Sequence, residues 1–437
     1  MTYKETCNYL FNQMPMFERL GTSGYKEGLD NTLKLDEHFG HPHQSYLTIH
    51  IAGTNGKGSC AHTIAAILQE CGYKVGLYTS PHLVDFSERI RINGRPIAED
   101  YVVSFVEKEK SFFEPLHPSF FEVTTAMAFK YFQDMEVDIA VIEVGLGGRL
   151  DCTNIITPIL SVITNISLDH TALLGNSLEQ IAMEKAGIMK AGVPVVIGET
   201  TPETRKVFEA VAQEVQAPIT FAEDEAELTG AEPSAHGMRY TTKHYGLIYG
   251  ELRGFCQEKN ANTILNAVRK LEELGYMYRF ASNDNSEANG LEVARGFKSV
   301  CEITGLKGRW QTISESPKVI CDTGHNVGGW TYISQQLSQV HCRKMHIIFG
   351  LVEDKDMDGI LNLLPKNATY YFTKADNKRA VSENVLKIIA ELGGLHGESY
   401  PTVSEAWQTA RKSCASDDFV FIGGSSYVVA DFLKNCI

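Results

Sequence analysis

The sequence has no C-x-x-C pair and no grouping of cysteine and histidine at metal-ligand spacing. Its ten cysteines (Cys7, Cys60, Cys71, Cys152, Cys256, Cys301, Cys321, Cys342, Cys414 and Cys436) are scattered singly. That excludes a disulfide-stapled scaffold and reads as reduced thiols of a cytoplasmic protein. No apolar run reaches membrane-spanning length. The stretch from Met1 to Glu18 mixes charges with aromatics and lacks the basic start, apolar core and small-residue cleavage site of a signal peptide. Positive charge is also in short supply: 40 Lys and Arg stand against 54 Asp and Glu, a net charge of −14. Nucleic-acid backbones and anionic membrane surfaces are therefore poor main partners, and an anionic substrate must be drawn in by local positive groups. Internal repeats, low-complexity tracts and the N-K-x-D signature of guanine-binding switches are absent as well.

What is present is a chain of 437 residues, long enough for two or three domains, with 43% hydrophobic and 22% charged residues as in soluble globular proteins. Its most informative stretch is Gly53-Thr54-Asn55-Gly56-Lys57-Gly58-Ser59, between the apolar run Leu47–Ala52 and a helical stretch Ala61–Leu68. Glycines let backbone N–H groups converge on one point, and the following helix adds its positive end. Lys57 supplies a point charge and Ser59 an oxygen for Mg²⁺. This is a phosphate cradle, and ATP or GTP is the expected ligand. Its spacing departs from G-x-x-x-x-G-K-[ST], with a shorter first spacer and Gly58 between Lys57 and the hydroxyl.

Apolar strand-like runs at 47–52, 74–79, 138–144, 160–165 and 193–197 alternate with helical ones, which implies a parallel sheet covered by helices on both faces. Residues 221–251 break that rhythm and read as a small antiparallel addition, with a solvated acidic run at 223–227. A helix follows from about Asn260 to Leu274, then an exposed polar loop at Ser282–Gly290 and a Gly-rich linker at Thr304–Gly308. The alternation restarts with strands at 318–321, 345–349, 369–373 and 419–422. The expected fold is thus α/β: a P-loop-type, mostly parallel sheet domain over residues 1–308 with an antiparallel addition, and a smaller Rossmann-like α/β domain over 309–437.

Several polar residues stand where such sheets bind ligands, at the carboxyl ends of strands. Glu143 closes an apolar strand and suits a Mg²⁺ ligand, the alternative being an ion pair with Arg149. His170 follows the next strand, as a metal ligand or as a hydrogen-bonded structural residue. Ser80 either reaches the metal or caps the turn before Pro81. Ser177-Leu178-Glu179-Gln180 has the form of a capping box, and the helix it opens carries Lys185 in an apolar stripe. Taken alone, Lys185 reads as a side chain reaching solvent beside Glu184. Asp322-Thr323-Gly324-His325-Asn326 is either a nucleotide contact or simple turn chemistry.

Together these motifs resemble the folylpolyglutamate synthase/dihydrofolate synthase family, within the Mur ligase superfamily of ATP-dependent ligases. The ordered matches are Gly53–Ser59, Thr79–Leu83, Glu88–Ile90, Phe121-Glu122, Glu143 with Gly145–Asp151, Thr164–Ile166, Asp169-His170, Glu184–Ile188, Gln257, Asn260, Gly308-Arg309, Asp322, His325-Asn326, Asp354–Asp356 and Arg379-Ala380. The resemblance implies an enzyme that joins L-glutamate to a reduced folate or dihydropteroate through an acyl phosphate. It implies ATP as cofactor and two Mg²⁺ sites drawn from Ser80, Glu143, His170 and an N6-carboxylated Lys185. Lys57, Glu143, His170 and Lys185 are then the catalytic set. Gly53, Thr54, Asn55, Gly56, Lys57, Gly58, Ser59, Asn260, Arg309, Asp322 and His325 hold ATP, over which the C-terminal domain closes. Gly28, Leu29, Asp30, Ser119, Leu150, Asp151 and Cys152 match pterin-binding stretches, and a monomer is implied.

The chain departs from the family pattern at Leu306-Lys307, at Thr323-Gly324 and at Cys256, where Trp-Pro, Gly-Ala and His are usual. Two other readings compete. One is a ligase adding an amino acid to a UDP-linked cell-wall precursor, against which Gly145–Asp151 and Phe121-Glu122 favour folate. The other is a nucleotide-gated binding protein, for which so many metal positions have no use.

Overall fold

The computed structural model describes residues 1–16, 28–277 and 288–437. The expected loop at Ser282–Gly290 therefore lies, up to residue 287, outside the described residues. The chain forms two compact units. The first takes Met1–Ser167, Thr171–Glu251 and Gln257–Leu306; the second takes Lys307–Ile437 together with Leu168–His170 and Leu252–Cys256. The break falls just after Gly305, which ends the helix Val300–Thr304 in the left-handed region at φ 72°.

The first unit is built on an eight-stranded sheet: β1 (Leu47–Ala52), β2 (Val75–Tyr78), β3 (Ile90–Ile92), β4 (Arg95–Pro96), β5 (Ile139–Glu143), β6 (Leu160–Ile163), β7 (Val195–Ile197) and β8 (Ile219–Phe221). Their order is β4-β3-β2-β5-β1-β6-β7-β8, with β3 and β4 antiparallel and the other strands parallel. Apolar residues run continuously along the central strands because both faces are covered. Alternate residues divide between two cores. Ile139 and Val141 pack with Ile64 and Leu68 of the helix Lys57–Glu70, whereas Ala140 and Ile142 pack with Phe129 and Phe132 of the helix Phe120–Asp134. By that parity Glu143, the last residue of β5, belongs to the face of the phosphate-loop helix.

The antiparallel addition is a three-stranded sheet of β9 (Leu228–Ser234), β10 (Gly237–Thr242) and β11 (Leu247–Gly250). Met238, Tyr240 and Ile248 turn into the core and the residues between them face outward. The long helix after it spans Cys256–Glu273, one turn earlier than its apolar pattern suggests.

The second unit has six strands: β12 (Gln311–Glu315), β13 (Lys318–Cys321), β14 (Met345–Phe349), β15 (Thr369–Thr373), β16 (His396–Tyr400) and β17 (Phe419–Gly423). The order is β12-β13-β17-β14-β15-β16, parallel except for β12. The last strand inserts between β13 and β14, so the order reverses there, and the ends of β13, β17 and β14 define the ligand edge of such a sheet.

Candidate active site

The phosphate loop leaves β1 and enters the helix Lys57–Glu70 through Gly56, which holds φ 83°. Gly53 adopts φ 144°, and a Cβ there would lie 1.8 Å from Thr164 Oγ1. Both glycines are required by the conformation and by the space. The residues after β6 clamp the loop. Asn165 O accepts from Thr54 N at 2.9 Å and Asn165 Oδ1 from Asn55 N at 3.0 Å, while the Thr164 hydroxyl donates to Asn55 O at 2.5 Å. Ser167 N donates to Thr54 Oγ1 at 3.1 Å. The Lys57 ammonium rests on the loop's own carbonyls, Gly53 O at 3.1 Å and Thr54 O at 3.2 Å. Asn260 presses against the cradle from the helix Cys256–Glu273; its Oδ1 would meet a Cβ on Gly56 at 2.3 Å.

Strands β2, β5, β1 and β6 lie side by side, so the residues that follow them share one sheet edge. There Ser80 N donates to Glu143 Oε2 at 3.3 Å, and Glu143 is only 4% exposed. Arg149, the partner in the alternative reading of Glu143, reaches Glu184 Oε1 at 2.8 Å. Lys185 does not reach solvent beside Glu184, for it is buried at 4% exposure. Its helix, Leu178–Ala186, packs on the turn after β5 so closely that a Cβ on Gly148 would lie 2.7 Å from Glu184 O and 3.0 Å from Lys185 Cα. The capping box is half formed: Ser177 Oγ accepts from Gln180 N, but Gln180 Oε1 accepts from Asn176 N.

His170 belongs to the second unit, in the left-handed region at φ 50°. Beside it, Asp169 pairs with Lys355, accepts from Asn326 Nδ2 at 2.9 Å, and lies 3.3 Å from His325 Nε2. Burial alone would raise the Asp169 carboxyl, but the His325 hydrogen bond and the surrounding positive groups hold it well below the usual range. Burial pushes His170 down to about 3, Asp169 opposing, so its imidazole is neutral and can donate a lone pair. In the same unit Asp322 accepts from Trp310 N at 2.7 Å and Gly324 N at 2.8 Å; burial raises its pKa against the pull of Arg309. Arg309 donates to Thr323 Oγ1 and to Gly308 O.

The residues matched to pterin binding gather in the first unit. Leu29 caps the helix Asp30–His38, with Gly28 before it at φ 100°. Ser119 and Glu122 form a complete capping box on the helix Phe120–Asp134. Asp151 caps the short helix Cys152–Ile155, accepts from Leu146 N at 2.8 Å, and so ties Leu150 and Cys152 to the turn after β5. Enclosure, with Asp151 and Glu122 nearby, pushes the Cys152 thiol well up. Phe121 lies over Gly145, where a Cβ would come within 2.4 Å of the ring, and stacks on Tyr78 at 5.8 Å. Residue reading missed the clamp by Thr164, Asn165 and Ser167 on the loop. Its signals were a run of hydrogen-bonding side chains immediately after β6 and the family match at Thr164–Ile166.

The donors suit magnesium unevenly. Ser80 and Glu143 offer oxygen, which a hard cation prefers, and His170 offers a neutral nitrogen. Lys185 fits such a site only as a carbamate, since an ammonium would repel the ion.

Residues 51–252 match the Mur ligase middle domain and residues 308–426 the glutamate ligase domain of Mur ligases. Fold and loop therefore define an ATP-dependent ligase of the Mur ligase superfamily. Over 424 residues the chain is 32% identical to the dihydrofolate synthase/folylpolyglutamate synthase of Bacillus subtilis, covering 94% of this chain and 95% of that protein. It is also 32% identical, over 99% of its length, to a probable bifunctional folylpolyglutamate synthase/dihydropteroate synthase of Haloferax volcanii, of which it spans 50%. The Escherichia coli FolC structure in complex with DHPP and ADP superposes with a TM-score of 0.82 at 30% identity, over 99% of this chain and 97% of that one. The chain belongs to the folylpolyglutamate synthase/dihydrofolate synthase family.

Proposed function

We propose that this protein ligates L-glutamate to the carboxylate of a reduced folate, of dihydropteroate, or of both, with ATP converted to ADP and phosphate. The observation that carries the reading is the shared sheet edge. The phosphate loop after β1, Ser80 after β2, Glu143 at the end of β5 and the loop-clamping residues after β6 all stand on adjacent parallel strands. The folate names of the relatives favour this reading over a UDP-linked acceptor.

A carboxylate and an amine in water form a salt, so the acid oxygen must first become a leaving group. Transfer of the γ-phosphoryl group makes an acyl phosphate; the glutamate amine attacks its carbonyl carbon, and phosphate leaves with the former acid oxygen. The protein's part is positioning and charge neutralisation. Lys57 and the amides of Gly53–Ser59 hold the phosphates, with Asn260, Arg309, Asp322 and His325 as further nucleotide contacts. Ser80, Glu143, His170 and carboxylated Lys185 would hold two magnesium ions, which when bound neutralise phosphate charge and polarise the transferring group. Gly28, Leu29, Asp30, Ser119, Leu150, Asp151 and Cys152 position the pterin. The enzyme acts as a cytoplasmic monomer built of domains 1–308 and 309–437. Among the described residues no helix is long and apolar enough to cross a membrane.

The test is glutamate-dependent release of ADP and phosphate with dihydropteroate and with tetrahydrofolate in parallel. Turnover with both defines a bifunctional enzyme, and turnover with tetrahydrofolate alone a polyglutamylating one. Turnover with neither overturns the proposal. Glu143→Ala should abolish ligation; near wild-type turnover at saturating Mg²⁺ would remove Glu143 from the site.

A further inference from the structure

At the amino edge of the second unit's sheet, opposite the edge that carries Asp322 and His325, three metal-binding residue types converge. His346 is the second residue of β14 and Asp418 immediately precedes β17; the two strands pair in parallel, with Met345 opposite Phe419. Cys414 caps the helix Val403–Ser413. A nitrogen, a sulfur and an oxygen from these residues lie within 4.8 Å of one another.

We propose that His346, Cys414 and Asp418 bind one borderline-soft divalent cation of the zinc class, at a site separate from the ligase chemistry.

The surroundings of the three side chains leave a ligand atom available on each. His346 is fully buried, and its Nδ1 lies 2.9 Å from Tyr371 Oη. With its proton on Nδ1 and donated to that oxygen, the ring turns the Nε2 lone pair toward Asp418 Oδ2, 3.4 Å away. Asp418 is also fully buried. Its Oδ2 accepts from Ala415 N at 2.8 Å and pairs with Arg343 at 2.7 Å, but Oδ1, equally enclosed, has no hydrogen-bond partner. An unpartnered buried carboxylate oxygen is costly and is relieved by a cation. Cys414 ends a helix and is half-buried, so its sulfur can move inward. A tetrahedral site needs ligand atoms about 3.3–3.8 Å apart, inside the 4.8 Å limit within which the three stand here.

The mixed nitrogen, sulfur and oxygen set selects for zinc, cobalt, nickel or copper and against magnesium, which prefers oxygen donors throughout. Binding would convert the Cys414 thiol to a thiolate bound to the metal and release its proton to solvent. Water would fill the fourth position. The charges of Cys414 and Asp418 then balance the dication, and Arg343 stays on Asp418 Oδ2. Such a site would fasten the end of the helix Val403–Ser413 to the starts of β14 and β17.

Cobalt is the probe, because thiolate ligation gives it a charge-transfer band. The full-length reduced protein is titrated with Co²⁺ in excess Mg²⁺, which occupies the ligase metal positions. One equivalent bound with a thiolate-to-cobalt band, displaced by Zn²⁺, is the expected result. Cys414→Ser should lose the band while keeping wild-type glutamate-dependent ATP hydrolysis as proof of folding. Tyr371→Phe should weaken binding about tenfold by releasing the His346 ring. His346→Gln should do so more severely, and if it fails to fold, Cys414→Ser at the half-buried helix end still decides. Absence of the band in the wild type, or its survival in Cys414→Ser, overturns the proposal.

Discussion

Gly148→Ala tests whether the turn after β5 positions Lys185. A Cβ at this position would lie 2.7 Å from Glu184 O, 3.0 Å from Lys185 Cα and 3.0 Å from Lys185 O. The first of these falls about 0.7 Å short of ordinary contact, and all three atoms are backbone, which cannot swing away as a side chain can. The helix end must therefore shift, and the Arg149 N to Glu184 O hydrogen bond of 2.8 Å strains with it. Overpacking of this kind costs about 1–3 kcal/mol of stability. If Lys185 moves by about half an ångström, the catalytic loss is about tenfold, given that 1 Å of misplacement costs about a hundredfold. Glutamate-dependent phosphate release gives the turnover, and calorimetric titration with a non-hydrolysable ATP analogue gives nucleotide affinity. Turnover should fall roughly 10- to 100-fold while affinity stays within about twofold, because the phosphate loop is untouched. Gly187→Ala, whose Cβ would strike Arg149 Cβ at 2.4 Å, should show the same defect from the other side of the contact. Reduced thermal stability with wild-type turnover in both variants would refute the positioning of Lys185 by this turn.

Asn165→Ala removes the acceptor of Asn55 N and should weaken binding of the same analogue about five- to tenfold, by roughly 1 kcal/mol, with little change in melting temperature; unchanged affinity would show that the clamp does not shape the loop. His50 is fully buried with its pKa pushed down to about 3, so its contribution to stability is complete above pH 6.5 and is lost as pH falls toward 3. Urea midpoints should fall over that window by an amount equivalent to a few kcal/mol, and the fall should shrink in His50→Gln. Gly290 lies in the first turn of the helix Ala288–Lys298, and a methyl group added there would meet nothing within 4 Å, so Gly290→Ala should raise stability by about 0.5–1 kcal/mol in denaturant unfolding.

The central strands could be read from the chain because burial on both faces writes them as uninterrupted apolar runs. The run at 47–52 is β1 residue for residue, and 345–349 and 369–373 are β14 and β15. Edge strands lack that signal. Arg95–Pro96 pairs on one side only, and His396–Tyr400 carries Glu398, which reaches Lys387 on the neighbouring helix. The charged residues show the same division. Glu143 could be placed from its strand alone, since alternation assigns its face. Lys185 could not: helical spacing puts a lysine in an apolar stripe but does not reveal what covers it. Here the turn after β5, distant in sequence, packs on the backbone of its helix at Gly148.

Four glycines show why spacing alone undersells this kind of site. Gly53 and Gly56 leave a direct trace, because both hold positive φ in a loop whose amides must point inward. Gly148 and Gly187 carry no such conformation. They are glycines because the turn and the helix end Glu184–Gly187 meet backbone to backbone, and any side chain would hold them apart. The first pair shapes the phosphate loop, and the second lets the helix end that carries Lys185 pack on the turn after β5. A larger residue at 148 or 187 should therefore damage catalysis without touching the nucleotide, whereas one at 53 or 56 should abolish nucleotide binding itself.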